Sequence, residues 1–203
     1  MDDVERIIRK SVANTIGRLT KPGQGERSDK FTSWGTAMLA KLRRAAGAPP
    51  DESADVWELT IGMLPRGLAE RDRERALWAV HTALTLFAIH QQSRRRSINR
   101  TGVGFGKAVQ RIFITSEGPS KKLNEGVRRR FGALATSLEF KELSRHARDL
   151  VQLLRAKDVG FDYPLFAAEL YRYQLGPEQR ERVRMRWGMD FYAFGKEEQN
   201  TDV

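Results

Sequence analysis

The chain has 203 residues, of which 40% are hydrophobic, enough for the core of one domain or of two small ones packed together. It contains no cysteine, which excludes disulfides, thiolate metal sites and a cysteine nucleophile. Its formal net charge of +10 favours a polyanionic partner. The start of the chain lacks an apolar signal core, and no apolar run reaches the roughly 18 residues of a membrane span, so we expect a soluble, cytoplasmic protein.

The first part of the chain carries apolar residues at steps of three and four, the spacing of one buried helix face. Asp2 is the expected cap of the first helix, whose apolar stripe covers residues 4–19. Ser28 or Asp29 is the expected cap of the second helix, whose stripe covers residues 31–45. We therefore predict two amphipathic helices at the start of the chain.

The most apolar segment of the chain follows these helices. A short helix is predicted over residues 53–63 and a longer one over residues 70–92. The longer helix is apolar on nearly all faces, which is typical of a helix buried at the centre of a bundle. A polar and basic loop over residues 93–103 follows and is expected to be mobile, and the next helix begins near Phe105. The N-terminal half is thus expected to pack around residues 70–92.

The second half of the chain shows the same helical spacing. Apolar stripes over residues 123–138 and 143–154 predict two helices. Asp162 is the expected cap of a third helix, with Pro164 in its first turn. A last helix carries apolar residues up to Phe191. The sequence has no sustained alternation of β-branched and polar residues, which marks strands, so we predict an all-α fold.

A break over residues 117–119, with the sequence Glu-Gly-Pro, is the expected boundary between the two halves. The chain would then form two small helical bundles in series. The N-terminal bundle is predicted over residues 1–116 and the C-terminal bundle over residues 120–195, while residues 196–203 are expected to form a frayed polar tail.

No arrangement of residue types in the sequence indicates catalysis, a metal site or a cofactor. His81 and His90 lie nine positions apart, so they face opposite sides of one helix and cannot form the i, i+4 pair of a zinc helix. The glycines within residues 102–106 follow a helix and do not match the G-x-G-x-x-G pattern of dinucleotide-binding loops. We therefore predict a protein that is not an enzyme and that holds no cofactor.

Almost all of the excess charge lies between Arg94 and Arg130. This stretch has eleven basic and two acidic residues, a net charge of +9 out of +10 for the whole chain. Arginine stays charged and makes bidentate contacts with phosphate, so we predict that the stretch binds a nucleic-acid backbone. Some of the residues would instead be solubilising surface, or would pair with acids such as Glu139 and Glu142. The candidate residues are Arg94, Arg95, Arg96, Arg100, Lys107, Arg111, Lys121, Lys122, Arg128, Arg129 and Arg130.

The tryptophans are expected to be core residues rather than platforms for nucleic-acid bases. All four lie on apolar helix stripes: Trp34, Trp57, Trp78 and Trp187. None of them is embedded among basic residues in the sequence, as base-stacking aromatics are. Bound nucleic acid is therefore expected to be held by its phosphates and not read base by base.

Four segments form an ordered set over most of residues 38–192. They read AMLAKLRRAAG, ALTLFAIHQQSRRRSINRTGVGFGKAV, VRRRFGALATSLEFKELSRHARDLVQLLRAKDVGFDYPLFAAEL and RVRMRWGMDFY. In this order they resemble the motifs of the CasB family, the small subunit of the type I-E CRISPR Cascade complex. The loop over residues 103–106 departs from the family pattern, which has a small polar residue and a leucine before the second glycine. The departure affects the start of the helix that follows.

The resemblance implies an all-helical, non-catalytic subunit of an RNA-guided complex. Its implied partners are crRNA, target DNA, the other Cascade subunits and a second copy of the chain paired head to tail, with no membrane. Members of the family help to hold target and displaced DNA strands when the R-loop forms. By their position in the motifs, Arg43 and Arg44 join the candidate nucleic-acid-binding residues, although basic residues there would equally complement the helix dipole. Arg145 and Arg148 are weaker candidates.

Two other classes of function deserve comparison with this one. A helical protein-interaction scaffold would use the basic stretch to meet acidic protein surfaces, and this alternative stays open. A helical transcription regulator would need a recognition helix with exposed Asn, Gln and Arg residues at base-reading spacing, which the sequence does not show.

Overall fold

The computed structural model describes residues 3–23, 31–65, 67–115 and 122–193, and these residues are mostly helical. Their α-helices are α1 (Asp3–Leu19), α2 (Ser33–Arg44), α3 (Glu70–His90), α4 (Phe105–Phe113), α5 (Glu125–Thr136), α6 (Phe140–Ala156), α7 (Tyr163–Tyr173) and α8 (Pro177–Tyr192). The predicted all-α fold is confirmed.

A short antiparallel pair of strands is missing from the sequence prediction. β1 (Ile114–Thr115) pairs with β2 (Lys122–Leu123), with Ile114 opposite Leu123. Strands of two residues are too short for an alternating pattern to be visible in a sequence. The predicted boundary over residues 117–119 falls between them and lies outside the described residues.

The prediction of one continuous short helix over residues 53–63 is wrong. Two 3₁₀ turns, Ala54–Val56 and Ile61–Met63, take its place. The Trp57 carbonyl accepts a hydrogen bond from the Gly62 amide at 2.9 Å, which closes the chain into a turn instead of continuing a helix. Trp57 is 41% exposed, so its predicted place in the core is wrong as well.

The helix α3 is the central helix of the fold, as predicted. Thirteen of its residues are buried, and Leu84 and Phe87 are fully inaccessible to solvent. The helices α1, α2, α6 and α7 all pack against it. Because neighbours surround α3, apolar residues are favoured on nearly every side of its C-terminal two thirds. Within the described ranges no helix, α3 included, is long and apolar enough to cross a bilayer.

The helix packing crosses the division that the sequence predicts. The helix α7, from the second half, packs against α1 and α3, whereas α4, from the first half, packs against α5, α6 and α8. The buried side chains form one hydrophobic cluster. The division into residues 1–116 and 120–195 therefore follows the order of the chain but not the packing. Periodicity shows which face of a helix is buried, and it does not show which helix covers that face.

Side-chain caps define the start of two helices that position the site. The hydroxyl of Thr32 accepts a hydrogen bond from the Gly35 amide at 3.1 Å, so Thr32 caps α2. The predicted caps at residues 28–29, like that at residue 2, lie outside the described residues. Asp162 caps α7 as predicted, because its Oδ1 accepts from the Leu165 amide at 2.8 Å.

The end of α5 also differs from the prediction. The helix stops at Thr136, and Leu138 beyond it is 59% exposed, so Leu138 does not continue the buried stripe. Directly after the end of the helix, the Ser137 hydroxyl donates a hydrogen bond to the Ala133 carbonyl at 3.0 Å.

Candidate nucleic-acid interface

The helix α6 carries basic residues along one face. At about 100° per residue, positions 141, 145, 148 and 155 share that face. They are Lys141, Arg145, Arg148 and Arg155. The opposite face is buried in the core through Leu143, Ala147, Leu150, Val151 and Leu154. The burial of one face therefore fixes the direction in which α6 presents its charges.

Four arginines come together beside α6 and line a groove of about 700 Å³. Arg43 comes from the end of α2, Arg94 follows the end of α3, and Arg148 and Arg155 belong to α6. All four are half-buried. We call this surface the arginine groove. Its walls also include the polar residues Gln92, Ser93 and Gln152.

The side chains of the groove are held by the surrounding backbone. The guanidinium of Arg94 forms an ion pair with Asp158 at 2.7 Å and donates a hydrogen bond to the Arg155 carbonyl. The guanidinium of Arg148 donates to the Ala46 carbonyl at 3.3 Å, while its Nε is buried without a hydrogen-bond partner among the described residues. The groove is thus partly organised before any ligand binds.

The positive charge of the groove is only partly neutralised. In the described part of the chain, no acidic side chain lies within 4.0 Å of Arg43, Arg148 or Arg155, and Asp158 pairs with Arg94 alone. Burial lowers the pKa of Arg43, and the nearby charges of Arg155 and Arg44 lower it further. Arginine nevertheless stays charged at neutral pH. An anion in the groove would relieve the mutual repulsion of these groups.

The positive charge of the groove also affects the pKa of the buried His90. Its Nδ1 forms a hydrogen bond with the Tyr163 hydroxyl at 3.0 Å, at the end of α3. Burial first, and then the charges of Arg94 and Arg155, lower the pKa of His90 to about 3. The imidazole is therefore neutral at physiological pH. Across the described ranges, no group of three His, Cys, Asp or Glu side chains could hold a metal ion.

The basic loop after α3 is anchored, so the predicted mobility of residues 93–103 is wrong. Gln91 Oε1 accepts from the Ile98 amide at 2.9 Å, and Ile98 is buried. The Asn99 side chain accepts from the Tyr163 amide at 2.9 Å, and the Gly102 amide donates to Asp162 Oδ2 at 2.8 Å. The prediction failed because two of the hydrogen-bond partners that anchor this polar loop, Asp162 and Tyr163, lie about 60 positions away in the sequence.

The loop arginines are presented at the surface on this anchored backbone. Arg95, Arg96 and Arg100 are exposed. The guanidinium of Arg100 donates to the Ser97 carbonyl at 2.6 Å, which curls it back over its own loop. Arg44 is exposed at the end of α2, next to the groove.

The predicted residues on α4 and α5 do not line the arginine groove. Lys107 is half-buried and Arg111 is exposed, both on α4, and the three arginines over residues 128–130 are exposed on α5. Arg128 pairs with Glu125 at 2.7 Å, an exposed contact of small energetic weight. Lys121 lies outside the described residues, and Lys122 belongs to β2.

The sequence analysis missed Arg155 and ranked Arg148 low. Both lie seven positions apart on α6, a spacing of two helical turns that places them on one face. This spacing was visible in the sequence. The approach of Arg43 and Arg94 to the same face depends on helix packing and was not.

The fold and the groove define an all-helical protein whose described surface gathers arginines from three separate segments. The sequence profile of CRISPR-associated protein Cse2 matches residues 38–192. The chain therefore belongs to the Cse2 family of CRISPR-associated proteins.

Several solved structures share this fold. The crystal structure of CasB from Thermobifida fusca is 33% identical, covers 94% of this chain and 98% of its own, and superposes with a TM-score of 0.72. CasB from Thermus thermophilus is 21% identical, with 95% and 99% covered and a TM-score of 0.66. A chain of a CRISPR RNA-guided surveillance complex is 18% identical, with 91% and 92% covered and a TM-score of 0.66. Curated proteins give no significant match.

Proposed function

We propose that this chain is the non-catalytic small subunit of a type I-E CRISPR Cascade complex, where it binds nucleic-acid backbone and stabilises the R-loop. Membership of the Cse2 family supports the role as a subunit. The observation that carries the proposed binding is the arginine groove, in which four half-buried arginines converge and Asp158 pairs with Arg94 alone among them.

Phosphate is the ligand chemistry that suits this groove. Guanidinium groups bind phosphate oxygens through two parallel hydrogen bonds, and they desolvate more readily than ammonium groups. The half-buried guanidinium groups that line the groove supply donors of this kind. Contacts of this kind position a backbone without reading its sequence, as an RNA-guided complex requires, because base pairing with the guide supplies the specificity.

Modest contacts are sufficient for such a role. The RNA–DNA hybrid of an R-loop is about as stable as the DNA duplex that it replaces, so protein contacts to the opened strands shift the balance. If all four groove arginines contacted phosphates of a single strand, the logarithm of the binding constant would fall with the logarithm of salt concentration with a slope of about −3.

The proposed partners are crRNA, the target and displaced DNA strands, the other Cascade subunits and a second copy of the chain. The exposed arginines of α4 and α5 supply further positive surface for a second strand. The helix α8 supports the proposed protein partners, because its side chains Met185, Met189 and Tyr192 are 58%, 62% and 51% exposed. Their spacing puts these three apolar side chains on one face of the helix.

A pair of substitutions in the assembled complex tests the proposal. Arg148→Gln with Arg155→Gln should shorten the lifetime of the R-loop, and it should make the salt slope of target binding shallower by about 1.4 for single-strand contacts. Arg6→Gln with Arg18→Gln is the matched control, because it removes the same charge from two exposed ion pairs formed by residues of α1. An unchanged R-loop lifetime and salt slope in the groove variant would overturn the proposal.

A further inference from the structure

A second cavity of about 720 Å³ lies between α3 and the first half of α6. Its lining differs in chemistry from that of the arginine groove, because much of it is apolar or weakly polar. We call it the Trp78 cavity, and its lining includes Ala48, Pro49, Trp78, Thr82, Leu86 and Ser144. Its volume is within the usual range of cavities that hold small organic groups.

The Trp78 cavity adjoins the arginine groove. Arg148 lines both, and its guanidinium is fixed between them by a hydrogen bond to the Ala46 carbonyl at 3.3 Å. Along α6, Arg155 lies about 10 Å beyond Arg148 and Ser144 about 6 Å in the other direction, at 1.5 Å per residue. Phosphate-binding side chains therefore begin at the edge of an apolar cavity.

The aromatic wall of the cavity has a defined orientation. The ring of Trp78 packs edge-on against Phe140, with the ring centroids 6.0 Å apart and the planes at 74°. Trp78, which was predicted to be a core residue, is half-buried. Lys141 and Arg145 lie on the α6 side of the same cavity. Folding thus brings a tryptophan among basic residues that are more than 60 positions away in the sequence.

We propose that the Trp78 cavity accepts one unstacked base of a single strand whose phosphates lie on the arginine groove. The inference rests on the proposed function, since it requires a backbone on the groove. A flat ring with polar edges suits a cavity that combines Trp78 and Leu86 with the hydroxyl-bearing Thr82 and Ser144. Glu139 and Glu142 at the cavity disfavour a second phosphate there, so the base and not the backbone enters.

Strands with and without bases test this inference on the full-length chain. The probes are a 12-nucleotide single-stranded DNA of mixed sequence and an abasic strand of the same length, both at low salt. Stacking of one base on an aromatic ring corresponds to about fivefold or more in affinity. We expect the intact strand to bind at least about fivefold more tightly than the abasic strand.

A cavity-filling variant locates the effect. Ser144→Trp should abolish the preference for the intact strand while the abasic strand binds as before. Thr136→Trp, at an exposed position on α5, is the control and should keep the preference. Trp78→Ala, checked for wild-type circular dichroism, should also abolish it and provides a second readout if Ser144→Trp does not fold.

Each outcome separates the two proposals. Equal affinities for the intact and abasic strands would overturn the base-binding cavity and leave the backbone contact standing. A preference that persists in both cavity variants would overturn it too, because the base would then be held elsewhere. If neither strand binds, the backbone contact fails for this chain, and the inference fails with it.

Discussion

Replacement of Gly106 by alanine tests the contact between α4 and α8. A β-carbon at Gly106 would lie 2.4 Å from the Trp187 carbonyl oxygen and 2.9 Å from the Asp190 β-carbon. The nearest atom belongs to the backbone, so it cannot rotate away. The two helices would have to separate by about 0.6 Å to restore a tolerable distance of 3.0 Å.

The expected magnitude follows from two opposing effects. Alanine is favoured over glycine in a helix by up to about 1 kcal/mol, and by less in the first turn, where Gly106 lies. Overpacking of this kind costs about 1–3 kcal/mol. The clash involves a backbone atom, so we expect the overpacking to prevail and the Gly106→Ala variant to unfold at lower denaturant concentration than the wild type.

For the matched control, Gly132→Ala, the expected change in stability has the opposite sign. Gly132 lies in α5, and a β-carbon there would have no neighbour within 4 Å. Gly132→Ala should therefore stabilise the protein by about 0.5–1 kcal/mol. Chemical denaturation followed by circular dichroism measures both variants. A Gly106→Ala variant as stable as the wild type, with Gly132→Ala behaving as expected, would refute the close approach of α4 and α8.

Three further variants probe other parts of the fold. Leu84→Asp places a charge in the fully buried centre of α3 and should unfold the protein. Circular dichroism and melting like those of the wild type would contradict the buried position of Leu84. Burial raises the pKa of Glu169 to about 7. Between pH 5 and 7 the unfolded chain has released this proton and the native chain keeps it, so stability falls as pH rises, by at most about 1.4 kcal/mol per pH unit. Glu169→Gln should flatten this dependence in denaturation curves measured from pH 5 to 8, and an unaltered curve would contradict the assignment. Asp162→Ala removes the acceptor for the Gly102 and Leu165 amides and should cost about 1–3 kcal/mol, with faster hydrogen exchange at both amides, and unchanged exchange there would contradict the anchoring role.

The anchored loop after α3 connects stability with the proposed function. Asp162 caps α7 and also holds the Gly102 amide, so one side chain ties the loop to the second half of the chain. Gly160 completes this contact, because a β-carbon there would lie 2.1 Å from the Ile98 carbonyl oxygen. The loop that contributes Arg94 to the groove is therefore positioned by the packing of α7 against the core.

The sequence by itself determined the features that depend on neighbours along the chain. Periodicity predicted the helices and the central place of α3, because a helix surrounded by others needs apolar residues on most faces. The cap at Asp162 was predictable because its partner is the amide three residues later. The ordered motifs over residues 38–192 led to the family, which the profile match confirms.

Only the tertiary structure decided which charges act together. The excess charge is concentrated between Arg94 and Arg130 in the sequence, yet the groove takes Arg94 from that stretch and joins it to Arg43, Arg148 and Arg155. Periodicity locates the buried face of each helix but does not show which helices cover that face. The packing of α7 against first-half helices, the packing of α4 against second-half helices and the Trp78 cavity could therefore not be predicted. Long-range packing, which brings residues more than 50 positions apart into contact, assembled this candidate interface.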